Sequence, residues 1–330
     1  MVHHKLYGLL LASNEALPGI PVLSGADRAP DLEIYLESSL PQLDACSTPE
    51  PFYVSAAKDE NGDPVLRVAS LDGGQCLLLR YSDGTRFAID LGAKTVHADW
   101  PSALTLEDAS SYLIGPVLGL ILRLRGTIPL HASAVAVGDH AIAIAGPAGA
   151  GKSTTAAVLA KSGYRMISDD VVALQEEASK FVVPPGYPRV NLWSDSVQAV
   201  AGSELNLPRI CPTVDKRFLP LDPDKQFETR HLPLAAIYVL DGRMEGPVEP
   251  VLKPLSGAEA LVAILANTYM NHLPHRENRR REFELLGRVV SRIPVMRAQA
   301  QGGLSTLSRF CETIASNARA HLSRSVDEMV

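Results

Sequence analysis

The 330-residue sequence is short of basic charge, cysteine, aromatic side chains and long apolar runs. Its 31 Lys and Arg are outnumbered by 37 Asp and Glu, for a formal net charge of −6. That balance argues against a function resting on a broad basic surface for nucleic acid. The four cysteines, Cys46, Cys76, Cys211 and Cys311, are scattered, and no two have the spacing of a zinc knuckle or a C-x-x-C pair. They read as free thiols in a reducing cytoplasm, so neither a disulfide framework nor a structural zinc is expected. No apolar run reaches the roughly 18 residues needed to span a bilayer. The opening MVHHKLYGLLLASNEALPG holds a short apolar run, interrupted at Gly8 and Ser13. It reads as a first buried strand rather than as a signal segment. Internal repeats and low-complexity tracts are also missing. With 46% hydrophobic and 21% charged residues, the composition is that of a globular protein long enough for two domains.

Up to residue 104 the pattern predicts a β-rich N-terminal domain. DLEIYLES alternates, AKDENGDPVLRVAS turns at Asn61-Gly62-Asp63-Pro64, and Asp83-Gly84 separates two apolar runs in the manner of a hairpin. From Thr105 the period becomes helical, with Thr105 as N-cap three residues before Asp108 and Gly115-Pro116 inside the apolar stretch. The second domain, 105–330, then reads as strand, turn at Gly138-Asp139, strand, Gly-rich loop, helix, strand with acids. A loop-rich middle at 175–232 follows, then the strand LAAIYVLDG, and mostly helices from Ser256 onward. The fold class expected is mixed α+β or α/β, a P-loop core with a β-rich N-terminal domain and C-terminal helices.

The most informative stretch is AGPAGAGKSTTAAVLA, residues 145–160, with Gly146, Gly151, Lys152 and Ser153 in the fixed places of G-x-x-x-x-G-K-[ST]. Glycine lets the backbone come close, so that N–H groups around Gly149, Ala150 and Gly151 converge on phosphate oxygens, with Thr154 next in the helix. The helix adds its positive end, Lys152 brings a point charge to the β and γ phosphates, and the Ser153 hydroxyl suits Mg²⁺. The next strand closes on Asp169-Asp170. Strand neighbours face opposite ways, so both acids reach the phosphates only if the chain turns there. One carboxylate would then hold Mg²⁺ and the other would accept a proton from an attacking hydroxyl. His131 opens the strand just upstream; alone, a strand-end histidine is more often a structural hydrogen-bonder than a catalytic group. Arg189, Lys216 and Arg217 could clamp phosphates or a peptide carboxylate, or be ordinary surface charge. Arg279-Arg280-Arg281 reads as a solvated helix face.

Together, LHASAVAV and IAGPAGAGKSTTAAVLAKSGYRMISDDVVAL resemble the catalytic domain of HPr kinase/phosphorylase, specifically over residues 126–175 and more thinly to residue 270. The resemblance does not extend to the first hundred residues. It implies a serine kinase acting on a protein, on a P-loop core related to phosphoenolpyruvate carboxykinase, using ATP and Mg²⁺. In that frame His131 and Asp169 polarise the target hydroxyl, Lys152 steadies the phosphoryl group, and Ser153 with Asp170 holds the metal. The resembled family forms rings, so a homo-oligomer is conceivable. The Gly-rich acidic signature tied to phosphorylase action is absent; PPGYPRVNLWSDS and TVDKRFLPL stand in its place. Those stretches and the YGLLLAS opening look more like lasso-peptide kinases, which phosphorylate a precursor peptide.

The expected function is therefore an ATP-dependent kinase of a serine or threonine hydroxyl on a peptide or small protein, in the cytoplasm, with neither nucleic acid nor membrane as partner. The N-terminal domain is the candidate for substrate capture. Two alternatives stay open: a kinase of a small hydroxylated metabolite, and a nucleotide-binding regulator or NTPase that transfers nothing. A base beside the γ-phosphate favours transfer over a switch.

Overall fold

Alternating apolar residues in the first hundred positions build one eight-stranded sheet. In a computed structural model its strands are β1 (Val2–Leu6), β2 (Leu9–Ser13), β3 (Leu32–Leu36), β4 (Pro51–Val54), β5 (Leu66–Leu71), β6 (Cys76–Tyr81), β7 (Arg86–Asp90) and β8 (Thr95–Asp99). Their order across the sheet is β1-β2-β3-β8-β7-β6-β5-β4. The structure describes residues 1–36, 49–178, 180–201, 207–242, 249–271, 273, 276–299 and 304–327, and Cys46 lies outside them. Cys76, Cys211 and Cys311 are free thiols. The first expected strand is instead a hairpin: Tyr7 and Gly8, at φ 54° and 82°, fold β1 back on β2. Tyr7 is fully buried and its hydroxyl donates to the Ile114 carbonyl at 3.1 Å, a partner 107 residues away.

Helix α1 (Leu106–Tyr112) starts from Thr105, whose side chain and that of Asp108 cap each other's backbone. Pro116, lacking an N–H, sits in a wide turn at Leu113–Val117, and α2 (Leu118–Leu124) continues beyond it. These helices belong to the first of two compact units, Met1–Arg125 with Cys211–Val214, so the division falls after Arg125 rather than at residue 104. The reason is packing. Tyr112 stacks on Tyr81 with ring centroids 3.8 Å apart, and its hydroxyl donates to Asp83 at 2.8 Å.

The second unit comprises Gly126–Ile210 and Asp215–Val330. Strands β9 (Ile128–Val137), β10 (His140–Ala145), β11 (Met166–Ser168), β12 (Val171–Glu177) and β13 (Lys180–Val183) precede β14 (Arg189–Trp193). After these come β15 (Arg209–Cys211), β16 (Val214–Pro220), β17 (Leu232–Leu240), β18 (Val251–Leu255) and β19 (Val295–Gln299). β10 pairs antiparallel with β9 and parallel with β17, which pairs parallel with β19. The strands read as continuous apolar runs because both faces are covered. Along β9 and β10, Val135, Val137, Ile142 and Ile144 enter one core, while Ala132, Ala134, Ala141 and Ala143 enter another. The first core is closed by α3 (Lys152–Lys161) through Ala156, Ala157 and Leu159, and by Phe310 and Ile314 of α7 (Leu304–Asp327). The second is closed by Ile264 of α5 (Gly257–Leu265) with Leu286 and Val289 of α6 (Arg276–Arg292).

The stretch expected to be loop-rich is better ordered than its prolines suggest. It holds β13 to β16 and α4 (Ser194–Ala201), and β14 pairs with β16 from Arg189↔Pro220 to Trp193↔Lys216. β19, five residues between two helices, was not expected from the helical period around it.

Candidate active site

The loop after β10 is shaped by glycines that cannot be replaced. Gly146 has φ 149°, and a Cβ there would lie 2.8 Å from the Leu240 carbonyl oxygen. Gly151, at φ 96°, caps α3 in the left-handed region, so the helix starts at Lys152 with its N-terminus facing the loop. The buried Lys152 ammonium donates to the carbonyls of Gly146 at 2.9 Å and Pro147 at 3.1 Å. Burial lowers its pKa, and Asp170 and then Asp169 oppose that shift.

The paired aspartates meet the requirement for a turn. Val171 N–H donates to the Asp169 carbonyl at 2.9 Å and Asp170 takes φ 70°, a left-handed geometry that Asp tolerates better than most side chains. The two carboxylates part as a result. Asp169 is 1% exposed and accepts from the Ser133 hydroxyl at 2.6 Å and the Asn191 N–H at 2.9 Å. Burial pushes its pKa up, while Ser133, Asn191 and the Ser153 hydroxyl hold it back. Asp170 instead faces a cleft, with one carboxylate oxygen 3.5 Å from His131 Nε2.

His131 is fixed on β9 opposite Val171, and its backbone N–H donates to the Asn267 carbonyl at 2.7 Å. The ring lies against Tyr269 at 5.0 Å. Burial lowers its pKa, Asp170 counters, and Lys152 and Lys216 lower it further. Starting from 6.5, a lowered value leaves the imidazole neutral at pH 7.

The cleft has an empty volume of about 680 Å³. It gathers His131, Gly149, Gly151, Lys152, Ser153, Thr154, Asp170 and Lys216. Gly146 and Ala150 support the loop from behind, Gly146 through its carbonyl on Lys152 and Ala150 by packing on the core. The Thr154 hydroxyl donates to that of Ser196 at 3.1 Å, tying α3 to α4. Besides the apolar Ala148 and Leu192, three wall residues escaped the sequence reading: Asn191, Trp193 and Ser196. Alternation along R-V-N-L-W was the available signal for two of them, since it puts Asn191 and Trp193 on one face. The Lys216 ammonium sits 4.9 Å from the centroid of the Trp193 ring, which is 52% exposed.

Two of the expected clamps are elsewhere. The Arg189 side chain is buried between the rings of Tyr187 and Phe218, at 4.8 and 5.5 Å, and does not line the cleft. Arg217 is the strand neighbour of Lys216 and so faces the other way. It donates to the Leu207 carbonyl at 3.0 Å and pairs with Asp215 at 3.6 Å.

Among the described residues no group of three or more His, Cys, Asp or Glu forms a metal cluster. Mg²⁺ does not need one, because it keeps waters and takes one or two carboxylates together with phosphate oxygens. Ser153 and Asp170, which both line the cleft, are hard oxygen donors of that kind. The donor set fits the ion.

No family model matches the sequence, and no curated protein matches it. Among solved structures, the Hpr(Ser) kinase/phosphatase from Coxiella burnetii aligns at 13% identity with a TM-score of 0.34, covering 59% of this chain and 98% of that one. This is a distant structural likeness and fixes neither reaction nor acceptor. Among the described residues no helix is long and apolar enough to cross a membrane.

Proposed function

We propose that the second unit is a P-loop kinase core that transfers the γ-phosphate of ATP to a serine or threonine hydroxyl on a peptide or small protein in the cytoplasm. The observation that carries this reading is the His131–Asp170 pair, 3.5 Å apart, lining the same cleft as Lys152 and the glycine loop. A site that only bound nucleotide could use a carboxylate for Mg²⁺, but would have no use for a neutral imidazole set against it.

Phosphoryl transfer asks a protein chiefly for positioning and charge. The backbone N–H groups of the loop and of the first turn of α3 cradle the phosphates, and Lys152 and Lys216 supply two positive charges. Asp170 accepts the proton of the attacking hydroxyl, and His131, uncharged, orients that carboxylate without neutralising it. This moves to Asp170 the role at the hydroxyl that the resemblance implies for Asp169. Asp169 has no face on the cleft and acts by fixing the Ser133 hydroxyl and the Asn191 backbone. When bound beside Ser153, Mg²⁺ would neutralise charge on the phosphates.

The test is transfer of label from radiolabelled ATP to serine-bearing peptides encoded beside this gene, with the phosphate located by mass spectrometry. Labelled peptide, lost in Lys152→Ala, is the expected result. ATP turnover with no labelled acceptor would move the chain to the NTPase reading.

A further inference from the structure

The sheet of the first unit carries a row of like charges that stability alone does not account for. Arg67 on β5 stands directly opposite Arg80 on β6, and Arg80 directly opposite Arg86 on β7. Like charges in directly opposed positions are destabilising. The ends of the row are neutralised. Arg86 donates through Nε to Asp99 at 2.8 Å and makes a second bond through its terminal nitrogen to the other carboxylate oxygen. Arg67 pairs with Asp63 at 3.5 Å. Arg80, between them, has no hydrogen-bond or ion-pair partner among the described residues, and its Nε is buried without an acceptor. Burial and then the Arg86 charge lower its pKa, with Asp99 a weaker opposing influence.

Above this row is a second cleft, with an empty volume of about 700 Å³. Arg67, Ala69, Leu78 and Arg80 are paired residues of β5 and β6 on one face of the sheet and form its floor, with Pro51 of the edge strand at the side. A guanidinium takes a carboxylate through two parallel hydrogen bonds, and an apolar rim accepts the carbon skeleton that bears it. The Asp63 carboxylate also lines the cleft, but it is mostly exposed and holds Arg67 at a distance from which an arriving anion can displace it.

We propose that this cleft binds a carboxylate carried by a polypeptide, either an acidic side chain or a chain terminus, through Arg80 assisted by Arg67. The anion site stands on the arginine row alone; its polypeptide ligand rests on the kinase reading.

The test uses the full chain without nucleotide. The probe is a fluorescein-labelled serine peptide rich in aspartate and glutamate; its control has asparagine and glutamine in those places and an amidated terminus. The acidic peptide should bind and the neutral one should not. Arg80→Gln should weaken binding about tenfold or more, the loss that follows removal of a charged hydrogen-bond partner. The same substitution should leave the melting temperature equal or higher, because it relieves two repulsions; a merely structural arginine would lower it. Lys152→Ala should bind the acidic peptide as wild type does, so failure of the kinase reading registers separately. Equal binding by Arg80→Gln and wild type, equal binding of the neutral peptide, or no acidic-peptide binding by wild type at millimolar concentration overturns the proposal. Displacement of the peptide by inorganic phosphate at far lower concentration than by acetate would make this a phosphate site and overturn the carboxylate assignment.

Discussion

Asp169→Asn should stabilise the protein while impairing it. The carboxylate is 1% exposed, and two hydrogen bonds, from the Ser133 hydroxyl and the Asn191 N–H, are its main support. Burying an ion costs several kcal/mol, and each hydrogen bond to a charged group returns about 1.5–3 kcal/mol. The raised pKa says that the cost wins. Asparagine has the same shape: its oxygen can accept from Asn191, and its NH₂ can donate to the Ser133 oxygen once that hydroxyl turns. Lys152 keeps Asp170, the larger of its two acidic influences. Removing the charge should then stabilise the folded state by the surplus of burial cost over hydrogen bonding. For a body near 200 residues each kcal/mol gained raises the melting temperature by about 2–4 °C. The sign with pH follows from the raised value. Asp169 favours the folded state below its unfolded pKa of 3.8, and that contribution is lost as pH rises through the folded value. The advantage of the variant therefore grows as pH rises from 3.8 toward the folded value and disappears below 3.8, which calorimetric scans across this range would record. Phosphoryl transfer should fall roughly 10- to 100-fold as the Asn191 wall of the cleft loses its charged anchor. A melting temperature several degrees lower at pH 7, or unimpaired transfer, would refute the reasoning.

Other substitutions separate the remaining roles. Asp170→Asn should keep nucleotide affinity in a binding titration yet lose about 10²–10⁴-fold in transfer rate, the usual contribution of a general base; a rate near wild type would remove Asp170 from that role. Transfer by the wild type should decline as pH falls through the lowered pKa of His131, where the imidazole charges and masks Asp170. Lys216→Ala removes one of the influences lowering that pKa, so the acid limb of its rate profile should move to higher pH while the rate on the plateau drops. An acid limb that stays in place would show that Lys216 does not act on His131.

The residues of the cleft were more legible than their assignments, and the reason is backbone geometry. Glycines at fixed offsets, between a strand buried on both faces and a small-residue helix, leave few ways to arrange residues 146–153, so the loop could be read directly. Neighbours are harder. Asp169 and Asp170 look interchangeable as letters, yet one left-handed residue buries the first and turns the second toward His131. Lys216 and Arg217 look like one basic pair, yet a strand sends them to opposite faces, and only Lys216 reaches the cleft. Had Arg189–Trp193 and Val214–Pro220 been recognised as two paired strands, the same parity would have excluded Arg217 and suggested Trp193. Proline and short length hid those strands. The hairpin at Tyr7 was hidden differently. Nothing local marks a tyrosine for positive φ, and the hydroxyl contact that holds it lies 107 residues away. Short-range chemistry thus names the participants, whereas choosing between adjacent candidates requires the backbone that separates them.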